Sequence, residues 1–191
     1  MIDDAQLIDQ TLQGRTEAFG QLVLKYQDRL FNTVFHVVGH AEDARDVVQE
    51  ALVQAFLKLD SFEHRSTFYS WLYRIAFNAA VAHRRRRTMA PLDRLAEANA
   101  ASPTADGPAE KLERKERCRQ VRQALAQLPV EYRTVLVLRE IDGCDYETLA
   151  EILELPIGTV RSRLHRGRLQ LKEILRTSLA LKEEMGEQKV K

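Results

Sequence analysis

The stretch YETLAEILELPIGTVRSRLHRGRLQL, residues 146–171, decides the fold of the C-terminal half of the chain. Asp145 precedes it and is placed to cap a first helix. After the short turn Glu154-Leu155, Pro156 suits the first position of a second helix. Two short helices joined by a tight turn, of which the second is basic, predict a helix-turn-helix.

The second of these helices has an apolar face and a polar face. At about 100° per residue, the apolar face holds Ile157, Val160, Leu164 and Leu171. The outward face carries Thr159, Ser162, Arg163, His165 and Arg166. Arg161 and Arg168 fall nearer the apolar edge, so they rank first as phosphate contacts. Because Glu173 is the single acid among many bases, binding to phosphates and guanine edges is favoured over a merely solvated face.

The sequence predicts two amphipathic helices in the N-terminal half, EAFGQLVLKYQDRLFNTVFHVV (17–38) and DARDVVQEALVQAFLKL (43–59). Leu52 and Phe56 belong to the apolar stripe of the second helix. Off that stripe lies a polar, largely acidic face with Asp46, Gln49 and Glu50. Such a face is either a solvated surface or a docking site for a basic partner.

A third helix, FYSWLYRIAFNAAVAHRRRR (68–87), divides into two faces. One is an apolar stripe that includes Trp71, which predicts that this ring lies in the core. The other carries Tyr69, Tyr73, Phe77 and Arg84. Rings beside guanidinium groups suit the stacking and clamping of unpaired nucleic acid, but a second protein layer could bury the rings instead.

Between the two halves, TMAPLDRLAEANAASPTADGPAEKLE (88–113) is rich in Ala, Pro, Gly and Ser and predicts a linker. Its acids outnumber its bases five to two, which makes it unsuited to contact DNA by itself. A solvated tether and a segment that becomes ordered on a partner remain open. We therefore predict an all-α protein of two small helical domains, 1–87 and 114–178, with a tail at 179–191.

Composition narrows the class of protein. The 191 residues are 45% hydrophobic and 30% charged, and the net charge of +1 conceals opposed patches. The N-terminus lacks the basic start and apolar run of a signal peptide, and no stretch approaches a transmembrane length, so we expect a cytoplasmic protein without membrane insertion. Cys118 and Cys144 fit reduced thiols, and no cofactor is expected.

A metalloenzyme is the alternative from another class, because HVVGH places His36 and His40 four residues apart on a helix. The zinc protease pattern requires a Glu after the first His as general base, and Val37 cannot serve. No third ligand is evident. We expect neither a metal site nor an enzyme.

Three segments carry a family resemblance: DVVQEALVQAFLKLDSF, STFYSWLYRIAFNAA and DGCDYETLAEILELPIGTVRSRLHRGRLQL, in this order around a variable linker. They resemble the extracytoplasmic-function sigma factors of bacterial RNA polymerase, over roughly residues 18–87 and 120–175. The resemblance implies a region 2 domain, a region 4 domain, and a role in promoter recognition and opening. It implies core RNA polymerase and promoter DNA as partners, and an anti-sigma factor as the expected regulator.

Positions in the family imply roles for residues here. Asp46, Gln49 and Glu50 match the segment that docks on the clamp coiled coil of the polymerase. The loop 61–66 and the helix after it match the part that captures a flipped base of the −10 element, with candidates Phe62, His64, Arg65, Ser66, Tyr73, Asn78 and Arg84. Residues 156–168 match the −35 reader. The candidates there are Thr159, Arg161, Ser162, Arg163, His165, Arg166 and Arg168. The resemblance gives Arg161 a higher rank as a base contact than its position near the apolar edge of the helix does.

Three positions depart from the family pattern. Glu154 stands in a turn where small residues are usual, so we expect an uncommon backbone conformation there. His83 replaces a frequent acid, and Phe77 replaces a frequent base, which leaves the details of −10 recognition open. The remaining alternative is a stand-alone helix-turn-helix regulator, which would leave the first ninety or so residues without a role.

Overall fold

The computed structural model describes residues 3–88 and 108–188, with side chains described for 3–83 and 115–178. Within these ranges the chain forms α-helices and no strand, which confirms the predicted all-α class. The helices are α1 (Asp4–Leu12), α2 (Thr16–Val38), α3 (Ala41–Leu57), α4 (Phe68–Thr88), α5 (Pro108–Gln127), α6 (Val130–Leu136), α7 (Tyr146–Leu153) and α8 (Ile157–Gln188). A 3₁₀ turn, Leu59–Ser61, follows α3.

The N-terminal bundle consists of α1 to α4 packed around α2. Leu30 and Val34 of α2 are fully buried, as are Val47 of α3 and Leu72 of α4. The tight connection from α2 to α3 requires a left-handed residue, and Gly39 supplies it with φ +92°. The apolar stripes that the sequence predicts for these helices therefore form most of the core.

The C-terminal domain contains the predicted helix-turn-helix, α7 and α8. Asp145 caps α7 as expected, because the backbone N–H of Thr148 donates to its Oδ1 at 2.7 Å. Glu154 ends α7 in the left-handed conformation with φ +52°, which confirms the uncommon backbone expected there. Val160 and Leu164 anchor α8 in the core, with 0% and 1% of their surface exposed.

A π-helical turn, Val137–Ile141, continues α6. The N–H of Asp142 donates to the carbonyl of Val137 at 3.0 Å, five residues back instead of four. Gly143 follows in the left-handed region with φ +76°. The chain thereby leaves α6 in a direction that brings Asp142 against the N-terminal bundle.

Two helices extend into segments predicted as linker and tail. Helix α5 begins at Pro108, inside the predicted linker 88–113, and residues 89–107 lie outside the described structure. Proline is tolerated at a helix start, and the Ala, Glu, Lys and Leu residues after it are good helix formers. Helix α8 runs on to Gln188, so most of the predicted tail 179–191 belongs to a helix.

The two domains lie against each other. Helix α4 packs against α7, and α2 packs against α5, α6 and the π turn. Buried side chains of both domains form one continuous core. The sequence did not predict this arrangement, and it decides which of the candidate residues are accessible.

Candidate nucleic-acid interface

The outward face of α8 is accessible, as the sequence predicts. Arg161, Ser162, His165 and Arg166 are exposed, and Thr159 and Arg163 are half-buried. Around Gly158, nothing lies within 4 Å of where a side chain would begin, so the start of α8 is open to close approach by another molecule. This arrangement offers a row of hydrogen-bond donors on a helix held rigidly from behind.

Two arginines of α8 already have partners on the protein. Arg168 donates to Oε1 of Glu140 from Nε at 3.0 Å and from Nη2 at 2.6 Å, and this bond raises its pKa further. Arg161 lies 5.7 Å from the ring centroid of Tyr146. Because Arg168 already pairs with Glu140, a phosphate contact by Arg168 must compete with an existing ion pair.

The loop before α4 holds an exposed residue in a strained conformation. His64 adopts φ +54°, which is uncommon for a residue other than glycine, and its ring lies 4.7 Å from that of Phe62. Arg65 pairs with Glu63 at 2.9 Å, and Ser66 is half-buried. Phe62 is 8% exposed, because its ring packs into the core in this conformation, and the contact of this ring with DNA stays a prediction.

The rings predicted as a stacking platform on α4 are covered by a second protein layer, which is one of the two alternatives that the sequence leaves open. Tyr73 is fully buried and Phe77 is 5% exposed, because the C-terminal domain covers this face. The hydroxyl of Tyr69 donates to the Asp142 carboxylate instead of facing solvent. Burial and that bond raise the pKa of Tyr69, and burial raises the pKa of Tyr73. Asn78 is exposed, and the side chain of Arg84 lies outside the described residues.

The polar face of α3 is accessible. Asp46 and Gln49 are exposed, and half-buried Glu50 accepts a hydrogen bond from Gln54 at 3.2 Å. At the start of α3, Asp43 lies 3.3 Å from Nε2 of His83. His83, which stands at a position where the family often has an acid, thus contacts α3.

Beside this face lies an apolar groove that the sequence did not predict. A cavity of about 560 Å³ opens between α2 and α3, and its lining includes Phe19, Val23, Phe31, Leu52, Val53 and Phe56. Phe56 lies on the predicted apolar stripe of α3, but it is 41% exposed and packs edge-on against Phe19 at 5.1 Å between ring centroids. Val53 and Leu57 extend the apolar surface of α3 beyond its stripe. This excess of apolar residues on one helix is the sequence signal from which the groove could have been predicted.

The described side chains of residues 3–83 and 115–178 form no metal site. No group of three His, Cys, Asp or Glu side chains there is arranged to hold a metal ion. Burial and the nearby charge of Arg122 lower the pKa of His36. Burial raises the pKa of the Cys144 thiol to about 11, which makes it a poor nucleophile. The helices described here include none that is both long and apolar enough to span a bilayer.

Comparison with known proteins links both domains to one group. A family model described as Sigma-70 region 2 matches residues 22–89, and one described as Sigma-70, region 4 matches residues 118–171. The RNA polymerase sigma-H factor of Pseudomonas aeruginosa is 38% identical over 184 residues, which cover 92% of this chain and 95% of that protein. The ECF RNA polymerase sigma-E factor of Escherichia coli is 40% identical over 176 residues, which cover 87% of this chain and 91% of that protein.

A solved structure shares the fold. The sigma factor RpoE in complex with the anti-sigma factor NepR, from Bartonella quintana, matches with a TM-score of 0.67 and 27% identity. The match covers 83% of this chain and 96% of that one. The similarity therefore extends over both helical domains.

Proposed function

The chain belongs to the extracytoplasmic-function sigma factors of the sigma-70 family, and on this premise we propose which of its surfaces bind core RNA polymerase and promoter DNA. It is an alternative sigma factor, a transcription initiation factor and not an enzyme. We place its action in the cytoplasm, where bacterial transcription occurs.

The exposed basic face of α8 is the observation that carries the DNA assignment. Arg161, Arg163 and Arg166 lie on one helix of a helix-turn-helix whose other side is locked in the core. Arginine engages O6 and N7 of guanine with two hydrogen bonds, which makes it the best reader of a base pair in the major groove. We propose that this face reads the −35 element, with Thr159, Ser162 and His165 beside the arginines and Arg168 as a backbone contact.

The strained loop before α4 is our candidate for the −10 element. His64, Arg65 and Ser66 project from a loop whose base is fixed by the buried ring of Phe62, and Asn78 is exposed further along α4. Strain held at a single residue indicates a conformation maintained for a function. We propose that these side chains, together with Arg84, hold an unpaired base and its backbone while the duplex opens.

Alanine variants of His64 and Asn78 should separate strand opening from folding. Both side chains are exposed, so each variant should keep its melting temperature within about 2 °C. Transcription from a duplex promoter should fall several-fold, and a template with a mismatched bubble over the −10 element should restore much of it, because unstacking has been removed from the reaction. Equal losses on both templates would contradict the assignment.

The polar face of α3 and the apolar groove beside it are proposed to dock on core polymerase. Asp46, Gln49 and Glu50 supply charge and hydrogen bonds, and Phe56 and Val53 supply exposed apolar surface. Buried apolar contacts with a polar rim are the usual composition of a stable protein interface. The groove and the acidic face thus form one docking surface.

Reversing one charge on this surface should weaken docking. Glu50→Lys is expected to reduce the affinity for core polymerase roughly tenfold or more, because it places a like charge against a basic partner. Glu131→Lys makes the same change at an exposed position of the C-terminal domain and should leave the affinity unchanged. Pull-down titrations at moderate salt measure both, alongside circular dichroism to verify helical content. Unaltered binding by a folded Glu50→Lys variant would rule this docking face out.

An anti-sigma factor is a proposed third partner. The support is the similarity to a sigma factor solved in complex with the anti-sigma factor NepR, which matches across both domains. Such a partner would have to cover surfaces that polymerase needs. Competition between a candidate anti-sigma protein and core polymerase for the free chain would reveal it.

Run-off transcription with purified bacterial core polymerase tests the whole proposal. A sigma factor should produce promoter-dependent transcripts on some members of a broad promoter library, whereas a stand-alone regulator should bind duplex DNA without polymerase and initiate nothing. Absence of any promoter-dependent transcript, with duplex binding by the free chain, would favour the regulator.

A further inference from the structure

Several arginines gather around one aromatic ring beside α8. The ring belongs to Tyr146, the first residue of α7, which is half-buried against the core. The guanidinium carbon of Arg139, in the π turn, lies 5.1 Å from the ring centroid, and that of Arg161, in α8, lies 5.7 Å from it. At these distances the electron-rich face of the ring attracts both cations. The pKa of Arg168 is raised first by its bond to Glu140 and further by the Tyr146 hydroxyl, which places this arginine near the same side chain.

The arginines around the ring differ in how the protein uses their N–H donors. Nη1 of Arg139 donates to the carbonyl of Cys144 at 2.6 Å. Arg168 donates to Glu140 from both Nε and Nη2. In the part of the chain whose side chains are described, Arg161 has neither a hydrogen-bond acceptor nor a carboxylate partner. The Tyr146 ring therefore holds the Arg161 guanidinium by a contact that leaves its N–H donors available.

This contact distinguishes Arg161 from the other arginines on the outward face of α8. Within residues 3–83 and 115–178, neither Arg163 nor Arg166 lies over a ring or pairs with a carboxylate. A long arginine side chain loses much rotamer freedom when a ligand orders it. Arg161 has already lost part of that freedom to the ring, so its ordering on DNA costs less.

The position of the ring is fixed by the backbone on either side of it. Before Tyr146, Asp145 caps α7 through the N–H of Thr148, and the carbonyl of Cys144 accepts the bond from Arg139. After it, α7 packs against α8. The ring thus keeps a constant place relative to the helix that carries Arg161.

We propose that Tyr146 is a positioning residue of the −35 reader, because its ring holds the Arg161 guanidinium ready for a base while leaving the donors that the base requires. This role rests on the proposed function of α8 and adds an order among its arginines. Arg161 is the preorganised reader, whereas Arg163 and Arg166 become ordered when DNA binds. The place of Arg161 near the apolar edge of α8 is what lets it reach the ring.

Holoenzyme binding to duplexes that vary one −35 position at a time tests this role. Tyr146→Leu, which removes the ring and keeps apolar bulk, should weaken binding to the preferred duplex about 2- to 30-fold and relax the preference at one base pair. Tyr146→Phe keeps the ring and should recover most of that loss. Tyr132→Leu, the same change at another half-buried tyrosine of the C-terminal domain, should leave the base preference unaltered.

A double-mutant cycle separates positioning from support of the fold. In an Arg161→Ala background, Tyr146→Leu should change the affinity by less than about twofold, because the group that the ring holds is gone. In an Arg166→Ala background, its full effect should remain. A ring that only supported the domain would weaken both backgrounds alike, and this result would overturn the positioning role.

Nuclear magnetic resonance of the free, full-length chain tests the contact without polymerase or DNA. The ring current of Tyr146 should shift the side-chain protons of Arg161, and the shift should vanish in Tyr146→Leu and persist in Tyr146→Phe. Arg161 resonances that are equal in the parent chain and in Tyr146→Leu would overturn the contact and the role built on it.

The remaining outcomes keep this role and the proposed function apart. Equal losses of affinity in Tyr146→Phe and Tyr146→Leu would assign the effect to the hydroxyl and overturn positioning by the ring. A base preference that depends on Arg161 but not on Tyr146 would do the same and leave the proposed function standing. Absence of any −35 preference in the parent holoenzyme would reject the proposed function, whatever the resonances show. Should Tyr146→Leu fail to fold by circular dichroism, Tyr146→Met provides the same comparison.

Discussion

Replacement of Trp71 by alanine is expected to lower the free energy of unfolding by about 3–5 kcal/mol. Trp71 is 6% exposed, and its ring lies 5.3 Å from that of Phe62 and 5.8 Å from that of Phe68. Truncation would remove the centre of this aromatic cluster and leave a cavity that the surrounding helices fill only in part. Urea unfolding followed by circular dichroism measures the loss.

The matched control is Leu24→Ala, since Leu24 is also apolar but 72% exposed. Its effect should stay within about 0.5 kcal/mol. A loss below about 1 kcal/mol in Trp71→Ala would contradict a core role. Because this defect is one of folding, a template with a pre-formed bubble should not repair the transcription of Trp71→Ala, in contrast to the His64 and Asn78 variants.

Removal of the Arg166 guanidinium should cost about 1–3 kcal/mol of binding at the −35 element, roughly 5- to 150-fold in affinity. Arg166 is exposed on the outward face of α8, where it is free to engage a base edge. The preference at one base pair should relax in Arg166→Ala, because a bidentate contact carries sequence information. Holoenzyme binding to duplexes that vary one −35 position at a time measures both effects.

Arg168→Ala is the comparison. Arg168 is paired with Glu140, so its loss should weaken all sequences evenly and by less. If Arg166→Ala also weakened every duplex by the same factor, α8 would act only through nonspecific charge. Arg163→Ala should follow Arg166→Ala.

The sequence predicts α7 and α8 correctly because the signals for these helices are local. A capping aspartate, a proline at a helix start and an apolar face at helical spacing all act within a few residues of one another. The structure confirms the Asp145 cap and the strained Glu154 because neither depends on distant parts of the chain. The buried position of Trp71 follows from the same periodicity.

Contacts between distant parts of the chain decide what the sequence alone leaves open. Tyr73 and Phe77 formed an apolar face, and periodicity does not tell whether solvent, DNA or another domain covers such a face. The cover comes from α7 and the π turn, and the bond from Arg29 to Asp142 joins residues 113 positions apart. Phe56 shows the same limit: it belongs to the predicted apolar stripe of α3, but α2 covers only part of that stripe.

The π turn makes the position of Asp142 depend on the number of residues before it, and not only on their types. One extra residue per turn rotates everything after it by about 100° relative to an uninterrupted α-helix. Loss of any single residue between Val137 and Ile141 would restore ordinary helical phase and swing Asp142 away from Arg29, although both of these residues would still be present. A chain shortened by one residue there would therefore keep both surfaces proposed to read DNA and lose the bond between Arg29 and Asp142.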